Sequence, residues 1–110
     1  MLLSQEFRFS AAHKLIGNQG QPLHGHNYKL ILTVKGAPDE NGVVTDTATL
    51  RKIVDDIILK KLDNSFLNDF FKQPTMENIV KWIWNELVDI QLHEIQLFET
   101  PQSWITYNGD

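Results

Sequence analysis

The stretch from His24 to Val34 reads HGHNYKLILTV, two histidines two residues apart running into residues suited to a β-strand. Side chains alternate faces along a strand, so His24, His26, Tyr28, Leu30, Leu32 and Val34 share one side. Two imidazoles then sit together at the end of an apolar face, a geometry that can grip one metal ion, and zinc takes nitrogen ligands readily. A lone His-x-His more often marks two polar residues at a strand entrance than a metal site, so a third ligand has to decide. Upstream, Leu3, Gln5, Phe7, Phe9, Ala11 and His13 fall on one parity. Phe7 and Phe9 mark that parity as the inner face of a first strand over about residues 2–12, with His13 at its far end. The segment KLIGNQGQPL, 14–23, reads as a loop that returns the chain into a second strand over about 25–36. An antiparallel return brings His13 beside His24 and His26. Three imidazoles with an open fourth position is the arrangement of a catalytic rather than a structural zinc.

Downstream, GAPDENG at 36–42 is a turn, and Val43 to Asp46 is expected as a short extended piece. From about Thr47 the period changes. Leu50, Ile53, Val54, Ile57 and Ile58 recur at intervals of three and four, which predicts an amphipathic helix ending near Lys61, with Asp46 or Thr47 as its N-cap. Residues 62–73 form an irregular connection, anchored by Leu67 and by Phe70 and Phe71. Thr75 caps a second helix, Glu77 suits its positive end, and Ile79, Val80, Ile83, Trp84 and Leu87 line its buried side. Two closing strands follow, about 94–99 and 103–108, and Glu99 ends the face that begins with Ile95 and Leu97. The order is ββααββ: an α+β domain spanning 1–110, a four-stranded antiparallel sheet with two helices on one face.

A charge of −4 without a basic run argues against nucleic acid or an anionic membrane as partner. No apolar stretch approaches the ~20 residues of a membrane span, and the N-terminus lacks a secretory pattern. With no cysteine, disulfides, thiolate metal sites and thiol nucleophiles are excluded, and the expected address is the cytoplasm.

Phe9-Ser10-Ala11-Ala12-His13, Leu23-His24-Gly25-His26-Asn27-Tyr28, Pro74-Thr75-Met76-Glu77-Asn78 and Glu99-Thr100 occur in that order along nearly the whole chain. Together they resemble the family of 6-pyruvoyl tetrahydropterin synthase and 6-carboxytetrahydropterin synthase. The resemblance implies the tunnelling fold, in which three subunits join their sheets into a barrel and two rings stack as a hexamer. It implies zinc on His13, His24 and His26, and a pterin ring anchored by the Glu99 carboxylate, with Thr75 as a second ring contact. The implied substrate is 7,8-dihydroneopterin triphosphate, and one implied product, 6-carboxytetrahydropterin, leads to deazapurines such as the queuosine precursor.

The chain also departs from that family. Gly20 stands where its usual catalytic cysteine belongs, and Asp63-Asn64 replaces its Asp-His pair, leaving Asp63 as the remaining acid–base candidate. Three classes of function follow: a zinc-dependent pterin synthase, an enzyme of the same fold that cleaves dihydroneopterin in the manner of an aldolase, or a pterin- or purine-binding protein without catalysis.

Overall fold

The computed structural model describes residues 1–17 and 21–110. Strand β1 spans Leu2–Leu15 and pairs antiparallel with β2, Gln21–Lys35. Both strands are longer than the loop-like composition of 14–23 suggested. The two-residue β3, Ser65–Phe66, runs parallel to β1 at Ala11 and Ala12. Strands β4, Leu92–Thr100, and β5, Ser103–Tyr107, complete a sheet of order β3-β1-β2-β4-β5. The expected four strands therefore gain a fifth at the edge, contributed by the connection read as irregular. Val43 to Asp46 forms bends rather than an extended strand.

The inner faces were legible from parity. Phe7 faces Leu30 across β1 and β2, Phe9 faces Tyr28, and Leu30 faces Leu97 across β2 and β4. All are buried, together with Leu32 and Ile95. Two helices cover this face. Helix α1 begins as Thr47–Val54, widens into a π-helical segment, Asp55–Leu59, and ends with one α-turn, Lys60–Leu62. Its buried residues are Leu50, Val54, Ile58 and Leu62, three successive steps of four. An α-helix turns about 100° per residue, so each step of four drifts roughly 40° around the axis. The wider π turn removes that drift and keeps all four side chains on the core. It also carries Ile57 off the stripe, leaving it exposed.

Helix α2, Met76–Glu86, buries Ile79, Val80 and Ile83, with Leu87 just beyond its end. Trp84 is half-buried and meets the Tyr107 ring edge-on at 5.5 Å. In the connection, Leu67 is buried and Phe71 packs on Trp82, whereas Phe70 is largely exposed and anchors nothing in the core. Among the described residues no helix is long and apolar enough to cross a membrane.

Asp46 caps α1, accepting from the Ala48 amide at 3.1 Å and the Thr49 hydroxyl at 2.7 Å. The Thr49 hydroxyl first, then the Ala48 amide, holds the Asp46 carboxyl below the ordinary aspartate range. A depressed folded-state value gives stability that is present above the unfolded value, about 3.9, and is lost as pH falls through the folded one. Asp46→Asn keeps a capping oxygen without the charge. Its urea midpoint is expected to lie below that of the parent at neutral pH, with the gap closing under acid. A gap that persists unchanged down to about pH 2 would show that the charge contributes nothing.

Candidate metal and ring-binding site

The register of β1 on β2 places His13 directly opposite His24, and Ala11 opposite His26. All three imidazoles lie on the core-facing side, at the end of the sheet beyond Phe9 and Tyr28. His13 is fully buried, while His24 and His26 are partly open. The Nε2 atoms of His13 and His24 are 3.0 Å apart, and those of His24 and His26 are 2.9 Å apart. The three rings meet edge to face, with centroids 4.6 to 4.9 Å apart.

Two backbone carbonyls decide what this cluster can hold. The Nδ1 of His24 lies 2.6 Å from the Pro22 carbonyl oxygen, and the Nδ1 of His13 lies 3.3 Å from that of Pro74. A carbonyl only accepts, so each Nδ1 carries the proton, and in the neutral ring each Nε2 presents a lone pair. Two lone pairs facing each other at 3.0 Å repel; a cation between them removes the conflict. Locking the tautomer through the second nitrogen is how metal-binding histidines are oriented. The spacing also fits, since tetrahedral zinc with Zn–N near 2.0–2.1 Å sets its ligand atoms about 3.3 Å apart. The residues present therefore suit a divalent cation such as zinc.

The floor of the site is Tyr28, buried and stacked on Phe9 at 4.8 Å. Its hydroxyl is 3.4 Å from His13 Nδ1. Burial first, and the charge of Glu99 second, push its ionisation well above the usual tyrosine range, so it stays a neutral phenol. His26 is pushed the other way from its ordinary value. Burial lowers it most, Glu99 opposes this, and the neighbouring His13 and His24 add to the lowering. The neutral ring that a metal needs is thus favoured at His26.

Glu99 joins this group. Leu30 pairs with Leu97, so two steps on along β4 and two back along β2 bring Glu99 beside Tyr28. Its Oε1 lies 3.6 Å from His26 Nε2, with one fifth of its side chain accessible. Thr75 caps α2, its hydroxyl accepting from the Asn78 amide at 3.2 Å. The carbonyl just before it, that of Pro74, meets His13, so the helix start and the metal cluster are joined through one peptide.

Asp63 does not join the cluster within this chain. Its Oδ1 accepts from the Ser10 amide at 2.9 Å, while the Asn64 amide donates to the Ser10 carbonyl at 2.6 Å. Asn64 takes a left-handed backbone, φ 58°, which asparagine tolerates better than most residues. Gly20 lies outside the described residues.

The edge of β1 near His13 is held by side chains that imitate a neighbouring strand. Asn68 accepts from the Lys14 amide and donates to its carbonyl, both at 2.9 Å. Gln73 does the same for Ile16, at 3.0 and 2.6 Å. Sequence reasoning missed these amides, and no local signal marks them, because their partners lie more than fifty residues away. It also missed the carbonyls of Pro22 and Pro74. Tyr28 falls on the histidine face by parity, but nothing in the sequence marks it as the floor of the site.

A mainly antiparallel sheet with helices on one face and a three-imidazole cluster at its end defines an α+β protein with a candidate metal centre. Comparison with known proteins gives that class a family. Residues 2–110 match the family model described as 6-pyruvoyl tetrahydropterin synthase. A putative 6-carboxy-5,6,7,8-tetrahydropterin synthase of Archaeoglobus fulgidus is 33% identical over 107 residues, covering 94% of this chain and 92% of the relative. A dihydroneopterin monophosphate aldolase of Pyrococcus furiosus is 35% identical over 96 residues, covering 83% and 82%. The solved structure of Caenorhabditis elegans 6-pyruvoyl tetrahydropterin synthase superposes with a TM-score of 0.88 at 27% identity, covering 100% of this chain and 96% of that one. The chain belongs to the 6-pyruvoyl tetrahydropterin synthase family, has its tunnelling fold, and is a synthase-like enzyme by class.

Asn68→Ala removes both bonds to Lys14 and loosens the strand beside His13. A cost of about 1–2 kcal/mol in urea unfolding is expected, with faster amide exchange at Lys14 than at Leu30. Equal protection at Lys14 in the variant and the parent would show that the amide clamp is dispensable.

Proposed function

We propose that this chain is a metal-dependent pterin enzyme acting on the side chain of 7,8-dihydroneopterin triphosphate, of the 6-carboxytetrahydropterin or 6-pyruvoyl tetrahydropterin synthase type. The observation that carries the metal part is the convergence of three imidazoles, with one ring nitrogen from each within 4.8 Å of the others and two of the rings turning Nδ1 to a carbonyl. His13, His24 and His26 would hold zinc, which supplies a Lewis acid that acidifies the hydroxyls of the substrate side chain. Glu99, at the end of the apolar face, anchors the ring by accepting from its amino group and adjacent N–H. A carboxylate matches that fork of donors. Tyr28 closes the floor as a neutral group, and Thr75 sits at the rim, where its capping role also positions the Pro74 carbonyl.

A second reading is favoured by one feature of this chain. It contains no cysteine, and Asn64 cannot shuttle a proton. Metal and ring contacts without the usual acid–base pair suit an aldolase-type cleavage of dihydroneopterin or its phosphate, and the Pyrococcus furiosus relative is named a dihydroneopterin monophosphate aldolase. A pathway role towards a deazapurine belongs only to the first reading. A homo-oligomer, trimer or hexamer, is part of both. Its support is the open sheet: β5 forms one edge, and β1 from Leu2 towards Ser10 forms much of the other.

Three measurements test these readings. Zinc-reconstituted protein is expected to hold close to one equivalent per chain, and His24→Ala to lose most of it; full retention would remove the triad assignment. Incubation with dihydroneopterin, its monophosphate and its triphosphate, with products identified by mass, separates the readings. The synthase reading expects a pterin with an oxidised or shortened side chain from the triphosphate alone, and the aldolase reading expects cleavage of the simpler substrates. Asp63→Asn then keeps an acceptor for the Ser10 amide but removes a base. If Asp63 moves a proton, turnover falls by ~10²–10⁴ with stability unchanged; equal turnover leaves Asp63 as a clamp on β1.

A further inference from the structure

Glu99 occupies a position that ring anchoring alone does not explain. Among the described residues it is the carboxylate within ion-pair reach of the histidine cluster, its Oε1 3.6 Å from His26 Nε2. That nitrogen is the same atom that faces His24 Nε2 at 2.9 Å. The separation is close to the ~3.3 Å between ligand atoms around tetrahedral zinc. Both side chains are mostly buried, at 15% and 20% accessible.

Two demands on one carboxylate then conflict. In a pterin, the amino group and neighbouring N–H lie at one end of the bicyclic ring, and the substituted side chain lies at the other. A substrate whose side chain reaches the histidine cluster places its amino end several ångströms away, with the ring between. Glu99 cannot touch His26 and grip that far end at once. Three neutral imidazoles also leave both charges of a divalent cation uncompensated in a partly buried site, which is costly without a counter-charge.

Resting on the pterin reading above, we propose that Glu99 has two successive partners. In the free enzyme it is a positioning residue for the metal, its carboxylate lying beside the cation on His13, His24 and His26 and helping to retain it. When a pterin enters, the carboxylate turns away to the ring's donors. Oxygen atoms of the substrate side chain then take its place near the cation. Metal retention in the empty site and ring recognition in the filled one thereby depend on the same side chain.

The test measures metal and pterin binding separately, without turnover. Zinc affinity is obtained by competition with a chromophoric chelator for the parent, Glu99→Gln, Glu99→Asp and Glu94→Gln. Glu94 pairs with Thr33 on the same strand but on the opposite sheet face, and serves as the control. Without pterin, Glu99→Gln is expected to bind zinc about tenfold to a hundredfold more weakly, the usual effect of removing an outer partner of a metal site. Glu99→Asp should fall between, and Glu94→Gln should match the parent. Cobalt-loaded parent is expected to change its visible spectrum when dihydroneopterin is added, whereas cobalt-loaded Glu99→Gln should differ from the parent before addition. Circular dichroism of the metal-free proteins confirms that each variant is folded. Parent-like zinc affinity and cobalt spectrum in folded Glu99→Gln would overturn the metal role, whatever happens to pterin binding. Weakened zinc binding with unchanged dihydroneopterin affinity in zinc-saturated protein would uphold the metal role and overturn the anchor instead.

Discussion

The pairing of His13 with His24 across β1 and β2 is the contact on which the site depends. A slip of one residue in that ladder would move His13 to the outer face and send Phe7 and Phe9 with it. The core and the histidine cluster are therefore specified by the same register. Phe9 against Tyr28 and Phe7 against Leu30 give the apolar energy that opposes the slip, and the histidines occupy the next positions on the same face. The irregularity in the ladder falls after His13, between it and Leu15, where it no longer disturbs the parity of the ligands.

The helices do more than cover the sheet. Helix α2 starts where the Thr75 hydroxyl satisfies an amide, and the preceding carbonyl turns to His13. A helix cap and the orientation of the His13 ring are consequently set by neighbouring atoms of one short motif, Pro74-Thr75. On the other flank, Asn68, Gln73, Asp63 and the Asn64 backbone replace the missing neighbour strand of β1 with single hydrogen-bonding groups. This fastening keeps the His13 end of β1 paired although β3 supplies only two residues of true strand.

Elements with a strong period were legible from the chain. Alternation placed Phe7, Phe9, Leu30, Leu32, Ile95 and Leu97 inward and set His13, His24 and His26 on one face. The cap at Thr75 followed from side-chain chemistry alone, whereas the choice of Asp46 over Thr47 needed the structure, in which Thr47 is already helical. The rest depends on contacts that no local window contains. Ser65 and Phe66 become a strand only because β1 offers an open edge at Ala11 and Ala12. Ile57 fits the α-helical stripe by count, yet the chain widens there into a π turn that keeps Ile58 and Leu62 buried. Phe70 has the composition of an anchor but lies under the Lys61 ammonium, 4.9 Å from its ring centroid, rather than in the core. Asp63 is an acid–base candidate only by its match to the family's Asp-His pair, and within the chain its Oδ1 accepts from the Ser10 amide.

The proposed site divides its work between two kinds of group. Gripping a cation and a planar ring needs neutral imidazoles, fixed carbonyls and a carboxylate, all built into strands and a helix start that the core stabilises. Moving protons needs a group whose ionisation lies near the working pH, which costs little stability and sits more freely on loops. On the proposed reading, His13, His24, His26 and Glu99 supply the first kind. On that reading the second kind rests on Asp63, whose Oδ1 accepts from the Ser10 amide at the β1 edge. A site of this composition binds by the same physics whether the side chain is rearranged or cleaved. The reaction is then chosen by where the few mobile protons go, so the shared core accommodates both a synthase and an aldolase among this chain's relatives.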